Sequence, residues 1–163
     1  AALGTQVGAL VEQAFAQFLG VRHALACSSG TAALHLALLA LGIRPGAAVI
    51  QPAVNFVAAA NMTVACGATP LFAEICALDE PTLDPDSVEA LLDAAARRGQ
   101  GPLAVVVMHY GGYPCRMARI LALCRERKFT ISPKRRMNPS CGGIRILTGY
   151  GSTTGISVTW SRN

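Results

Sequence analysis

The chain has 163 residues, enough for one domain with a buried core, and 52% of them are hydrophobic, with a mean hydropathy of +0.42. No uninterrupted apolar run reaches the roughly 18–20 residues of a membrane-spanning helix, so we expect a cytoplasmic protein without membrane contact. The net charge of +5 is uneven, because residues 127–163 hold seven basic residues and no acidic one, whereas residues 1–126 hold seven arginines and nine acidic residues. The six cysteines include no C-x-x-C pair, so we predict no metal site and expect small buried apolar residues.

Residues 1–128 alternate between helical and strand patterns in the spacing of their apolar residues. The predicted elements of the first half are a helix over 7–18, a strand over 23–27, a helix over 30–41, a strand over 47–51, a helix over 56–66 and a strand over 69–75. A glycine follows each of the three helices, as is typical of helix ends.

The next helix has the clearest boundaries in the chain. Asp84 can cap it, Pro85 suits its first position and Gly99 ends it. A continuous apolar run over 103–108 then predicts a central parallel strand, and apolar spacing over 117–124 predicts a further helix. Strands that alternate with helices indicate an α/β fold of three layers, a mostly parallel sheet with helices on both faces.

The alternation ends shortly after residue 128. Residues 129–131 begin another strand, but residues 132–163 are rich in glycine, proline and hydroxyl residues, and only 156–160 indicate a strand. We therefore predict a partial domain over 1–131 and a basic tail over 132–163, which is either disordered or translated in a shifted reading frame.

The turn before the apolar helix carries the first candidate site. In Cys27-Ser28-Ser29-Gly30-Thr31 the helix start offers free amide hydrogens and a partial positive charge, which together suit a phosphate group. Gly30 lets the backbone approach an anion closely, and Thr31 adds a hydroxyl. The alternative is ordinary helix capping by Ser29 or Thr31, which the spacing alone favours.

Two further segments follow strands that end at the same edge of the predicted sheet, where parallel sheets bind ligands. Phe56, after Pro52-Ala53-Val54-Asn55, could stack on a flat ring, although a core position is the simpler interpretation. His109, in His109-Tyr110-Gly111-Gly112-Tyr113-Pro114, is interpreted as a hydrogen-bonded loop residue rather than an acid or base, because the sequence shows no partner for it.

Taken in order, these segments resemble the DegT/DnrJ/StrS aminotransferases. The resemblance covers residues 3–128 and rests on the segments 18–24, 28–38, 42–46, 49–52, 56–61, 67–70 and 109–114. It implies the large domain of a type I pyridoxal-phosphate transferase, a nucleotide-linked keto sugar as substrate, an amino donor and a homodimer. It also implies that Gly30 and Thr31 hold the phosphate of pyridoxal phosphate and that Phe56 stacks on its ring.

Pyridoxal chemistry also needs a carboxylate on the pyridine nitrogen and a lysine that forms the Schiff base. The family's Glu-Asp-Ala-Ala run would follow residues 129–131, where this chain has Ser132-Pro133-Lys134-Arg135-Arg136. No acidic residue follows Glu126, and the only lysines, Lys128 and Lys134, match no family motif. We therefore assign no catalytic residue and predict a fragment that is inactive alone.

Two other functions stay open. A non-catalytic relic would keep only a phosphate-binding cup or an oligomerisation surface. Nucleic-acid binding through Lys134-Arg135-Arg136 is less expected, because no nucleic-acid-binding motif accompanies these residues. An incomplete sheet with bare apolar helix faces would in addition give poor solubility or dependence on a partner chain.

Overall fold

The computed structural model describes residues 2–20, 22–98, 102–126, 142–147 and 155–160. Its helices are α1 (Ala2–Leu19), α2 (Gly30–Ala40), α3 (Ala58–Ala65), α4 (Pro85–Arg97) and α5 (Met117–Glu126), with a 3₁₀ turn at Tyr110–Gly112. Its strands are β1 (Ala48–Pro52), β2 (Thr69–Ala73), β3 (Pro102–Met108), β4 (Gly142–Leu147) and β5 (Gly155–Trp160).

The strands form one sheet in the order β2-β1-β3-β5-β4. Strand β1 pairs in parallel with both β2 and β3, whereas β5 lies antiparallel to β3 and to β4. Among the described strands, β5 alone runs against the others. The prediction of a mostly parallel α/β sheet is therefore confirmed.

The core has two layers, one on each face of the sheet. Val49 and Val106 pack with α2 and α3 on one face, and Ile50 and Val105 pack with α4 and α5 on the other. This division follows from the alternation of side chains along a strand. It also confirms the three-layer arrangement of helix, sheet and helix.

The start of α4 agrees with the prediction made from its sequence. The two carboxylate oxygens of Asp84 accept hydrogen bonds from the amides of Asp86 and Ser87, each at 3.2 Å. Pro85 occupies the first turn, where its missing N–H costs nothing.

The strand predicted over residues 23–27 is wrong. In the described structure this segment pairs with no strand, and Leu25 is 85% exposed. It is held to α1 by a hydrogen bond from the Ala26 amide to Glu12 Oε1 at 2.8 Å. A single extended segment leaves its backbone groups to water unless a neighbouring strand pairs with them, so a strand-like composition does not suffice.

The carboxyl-terminal strands, the cysteines and the helix lengths test three further predictions. Strand β5 confirms the prediction over 156–160, whereas β4 was not predicted; residues 129–131 and the Lys134-Arg135-Arg136 cluster lie outside the described residues. Five cysteines are described, and none of them forms a disulfide; Cys66, Cys115 and Cys124 are buried as expected, Cys76 is partly buried and Cys27 is exposed. None of the helices described is both long and apolar enough to cross a membrane.

Candidate functional site

Ser29 caps the amino terminus of α2. Its backbone is extended (φ −161°, ψ 162°), and its Oγ accepts a hydrogen bond from the Ala32 amide at 3.1 Å. The Ala33 amide donates to the Ser29 carbonyl at 3.0 Å. Of the two capping alternatives, the structure therefore uses Ser29 and leaves Thr31 out of the cap.

The capping leaves the first two amides of α2 available. Within the described residues, the backbone N–H groups of Gly30 and Thr31 make no hydrogen bond, and both residues are half-buried. No acidic residue lies in the first turn of α2 to offset its partial positive charge. This arrangement suits an oxyanion, as the sequence predicts.

Phe56 lies on the surface rather than in the core. Its side chain is 69% exposed, in the short connection between β1 and α3. The core interpretation of this residue is therefore wrong. Covering an exposed phenylalanine ring with a flat apolar surface lowers the free energy, so Phe56 is suited to stacking.

The path of the chain places both features at one edge of the sheet. After α2 the backbone folds back, with the Ile43 amide donating to the Leu38 carbonyl at 3.0 Å and with positive φ at Gly42 and Gly46. Leu38 shares a core cluster with Val49 of β1, so α2 returns along the sheet antiparallel to β1. Both elements are about 16 Å long, so the first turn of α2 lies toward the carboxyl edge of the sheet.

His109 is fixed in the loop after β3. Its Nδ1 accepts a hydrogen bond from the Cys115 amide at 3.1 Å, which confirms the interpretation of a hydrogen-bonded loop residue. The thiol of Cys115 donates to the Met108 carbonyl at 3.1 Å. Burial raises the pKa of this thiol, so it stays protonated at neutral pH. The loop is therefore organised by structural hydrogen bonds.

Two polar side chains of this edge were missed in the sequence. Gln51, the fourth residue of β1, is 1% exposed, and Asn55 lies four residues further along the chain. The amide oxygen and nitrogen of both side chains are buried and have no hydrogen-bond partner in the described structure. The available signal was a glutamine inside the otherwise apolar run Val49-Ile50-Gln51-Pro52.

The edge fits part of a phosphate-bearing aromatic coenzyme. The amides of Gly30 and Thr31 can hold a phosphate, and Phe56 can cover an aromatic ring. The described residues hold no lysine, since Lys128 and Lys134, the only two in the chain, lie outside them. The edge thus supplies binding groups but no amine for covalent attachment.

Comparison with known sequences places these observations in one family. The sequence profile of the DegT/DnrJ/EryC1/StrS aminotransferase family matches residues 2–132. GDP-perosamine synthase of Caulobacter vibrioides is 39% identical over 123 residues, which cover 74% of this chain and 30% of that protein. The spore coat polysaccharide biosynthesis protein SpsC of Bacillus subtilis is 45% identical over 155 residues, which cover 93% of this chain and 38% of that protein.

Comparison with solved structures gives the same result. The aminotransferase from Psychrobacter cryohalolentis superposes with a TM-score of 0.69 at 28% identity, covering 96% of this chain and 42% of that chain. The family and its structural neighbours are pyridoxal-phosphate-dependent aminotransferases. The chain spans less than half the length of each of these relatives.

Proposed function

Because the chain belongs to the DegT/DnrJ/EryC1/StrS aminotransferase family, we propose that it is part of an aminotransferase acting on nucleotide-linked keto sugars. The observation that carries the proposal is the unpartnered amides of Gly30 and Thr31 at the same sheet edge as the exposed ring of Phe56. Bound pyridoxal phosphate would supply the electron sink that amino transfer requires.

Each of the three residues has a distinct task in this proposal. The amides of Gly30 and Thr31 donate hydrogen bonds to the phosphate, and the helix end adds its partial positive charge. The Thr31 hydroxyl donates one more hydrogen bond. Phe56 covers one face of the ring and keeps water from it. Together these residues bind and orient the coenzyme.

The substrate class is supported by the relatives. A GDP-perosamine synthase and a spore coat polysaccharide protein both match most of this chain. Their names point to the biosynthesis of amino sugars and of polysaccharides. We extend this class to the present chain as a nucleotide-sugar substrate with a separate amino donor.

We propose that the 163 residues are inactive by themselves. They contain no acidic residue after Glu126 and no lysine in a family motif. A ring bound by Gly30, Thr31 and Phe56 would therefore lack the carboxylate that keeps its nitrogen protonated and the amine that carries it. A cytoplasmic homodimer remains the expected assembly of the complete enzyme.

A coenzyme titration tests this function. Pyridoxal phosphate bound by the purified chain is measured by equilibrium dialysis and absorbance, for the wild type, Phe56→Ala and Thr31→Val. Loss of stacking should weaken binding by about two- to tenfold in Phe56→Ala, and loss of the hydroxyl should weaken it less. The coenzyme should remain dialysable after borohydride treatment.

The matched control is Phe72→Ala, another exposed phenylalanine (54%), which lies on strand β2. This variant should bind like the wild type. Equal losses in both phenylalanine variants, or no saturable binding at all, would exclude the proposed site. Stoichiometric trapping by borohydride would instead show a complete, covalently loaded enzyme.

The origin of residues 132–163 is a separate proposal. The family profile ends at residue 132, and the resemblance implies a Glu-Asp-Ala-Ala run after residues 129–131. We propose that the tail is read in a shifted frame of a gene that once encoded that run. Translating the gene in its other two frames tests this, and the idea fails if neither restores such a run.

A further inference from the structure

Gln51 is a polar side chain in a position where the fold offers it nothing to bind. It is 1% exposed, and its neighbours Val49 and Ile50 are fully buried core residues. Neither its amide oxygen nor its amide nitrogen has a partner in the described structure. An amide that is cut off from water and from partners is costly, so its hydrogen-bonding capacity requires an explanation.

The alternation of side chains along β1 places Gln51 on the face of the sheet that α2 and α3 cover. Side chains alternate along β1, so Gln51 shares a face with Val49, which packs in the cluster formed with α2 and α3. Gln51 stands one pleat closer than Val49 to the carboxyl edge of the sheet. The first turn of α2, which holds the amides of Gly30 and Thr31, lies toward the same edge, because α2 runs antiparallel to β1.

Asn55, in the connection between β1 and α3, shows the same feature. Its amide oxygen and nitrogen are also buried and unpartnered, and it directly precedes the exposed Phe56. Two unsatisfied amides therefore lie in the segment that links the helix terminus to the ring platform. Buried groups of this kind require an explanation, and a ligand that completes their hydrogen bonds provides one.

We infer that Gln51 and Asn55 are ligand-binding residues that donate amide hydrogen bonds to the oxygen atoms of a phosphate-bearing aromatic coenzyme. This inference rests on the proposed function and adds two residues to its site. Being neutral, the two amides add donors without offsetting the positive charge of the helix end.

Binding and stability, measured on the same variants, test the inference. Gln51→Leu keeps most of the side-chain volume, and Asn55→Ala removes the second amide. For each variant, the Kd of pyridoxal phosphate and of inorganic phosphate is measured by ³¹P NMR, and the urea midpoint is measured without ligand. Gln51→Leu should raise the midpoint, because a buried unsatisfied amide is removed, and should weaken coenzyme binding by about tenfold or more.

The matched control is Thr63→Val on α3. Thr63 is fully buried, but its hydroxyl already donates to the Ala59 carbonyl at 2.8 Å. This variant should lower the midpoint and leave both Kd values unchanged. If Gln51→Leu and Asn55→Ala bind like the wild type, the inference is overturned while the proposed function stands. If the wild type itself binds neither ligand, both fail.

Discussion

At the scale of single residues, the ion pair of Glu80 and Arg116 joins two distant parts of the chain. The Arg116 guanidinium donates from Nη2 to Glu80 Oε2 at 2.8 Å and from Nε to Oε1 at 3.2 Å. The hydrogen bond from Arg116 lowers the pKa of the Glu80 carboxyl below its ordinary value of 4.5. Both side chains are well exposed, so the pair is screened by salt.

We expect this pair to make stability depend on acid pH. A carboxyl whose pKa is lower in the folded than in the unfolded chain stabilises the fold at pH values above its pKa in the unfolded chain. That contribution is lost as the pH falls through the folded pKa. The difference in urea midpoint between the wild type and Glu80→Gln should thus be constant above about pH 5 and vanish in stronger acid.

The control for this prediction is a double-variant cycle. Arg116→Gln should behave like Glu80→Gln, and the double variant should resemble either single variant. A midpoint difference that persists unchanged at low pH would show that Glu80 stabilises the fold by some other contact.

The Asp84 cap gives a second prediction at the residue scale. Asp84→Ala removes both hydrogen bonds to the first turn of α4 and should cost about 1 kcal/mol of unfolding free energy. Asp84→Asn retains a cap oxygen and should recover most of the loss. Equal losses in the two variants, measured by urea denaturation, would show that the charge rather than the cap matters.

At the scale of secondary-structure elements, the sequence predicts a boundary correctly where local residues fix it. Asp84 and Pro85 define the start of α4, and the continuous apolar run before His109 defines β3. The segment 23–27 failed because a strand needs a partner, and partners are set by the rest of the chain. Strand β4 was missed for a different reason, because its glycines and arginine carry no strand pattern.

Two glycines, one in the α2–β1 connection and one in the α3–β2 connection, allow a prediction about backbone strain. Gly46 and Gly67 have φ of +84° and +73°, a region that L-residues rarely adopt. A Cβ at Gly67 would also lie 2.7 Å from Pro45 Cγ, whereas a Cβ at Gly46 meets nothing within 4 Å. Gly46→Ala should therefore cost about 1–2 kcal/mol, from strain alone.

Gly67→Ala should cost about 1–3 kcal/mol more than Gly46→Ala, because the steric contact adds to the strain. Thermal and urea unfolding of the two variants measures this difference directly. Equal costs would mean that Pro45 moves aside without penalty.

At the scale of the whole molecule, the described surface is unusually apolar along α1. Five large apolar side chains of this helix are exposed, namely Val7, Leu10, Val11, Phe15 and Phe18. A contiguous exposed patch of this kind is typical of an interface rather than of a free surface. The sequence predicted such bare helix faces from the incompleteness of the domain.

We expect the isolated chain to self-associate through this helix. The double variant Leu10→Gln, Phe18→Gln should lower the average mass measured by light scattering across a concentration series. Leu78→Gln, which changes a 94% exposed leucine outside α1, is the control and should have no effect. A monodisperse wild-type monomer would contradict the prediction.

Only part of the candidate site could be predicted from the sequence. The helix start at Gly30 and Thr31 follows from residue type and position. The exposure of Phe56 could not be predicted, because a phenylalanine after a strand is more often core. The buried amides of Gln51 and Asn55 became visible only once the packing of α2 on β1 was known, since an unsatisfied group is defined by its surroundings.

The groups proposed to bind the coenzyme, from Gly30 to Phe56, belong to one uninterrupted stretch of chain that runs from α2 through β1. Deletions, fusions or frame errors elsewhere in a gene would leave this stretch whole, even though the reacting groups were lost. Damage to the gene of such an enzyme would therefore abolish catalysis before it abolished coenzyme binding. A descendant of this kind is expected to bind pyridoxal phosphate without catalysing amino transfer.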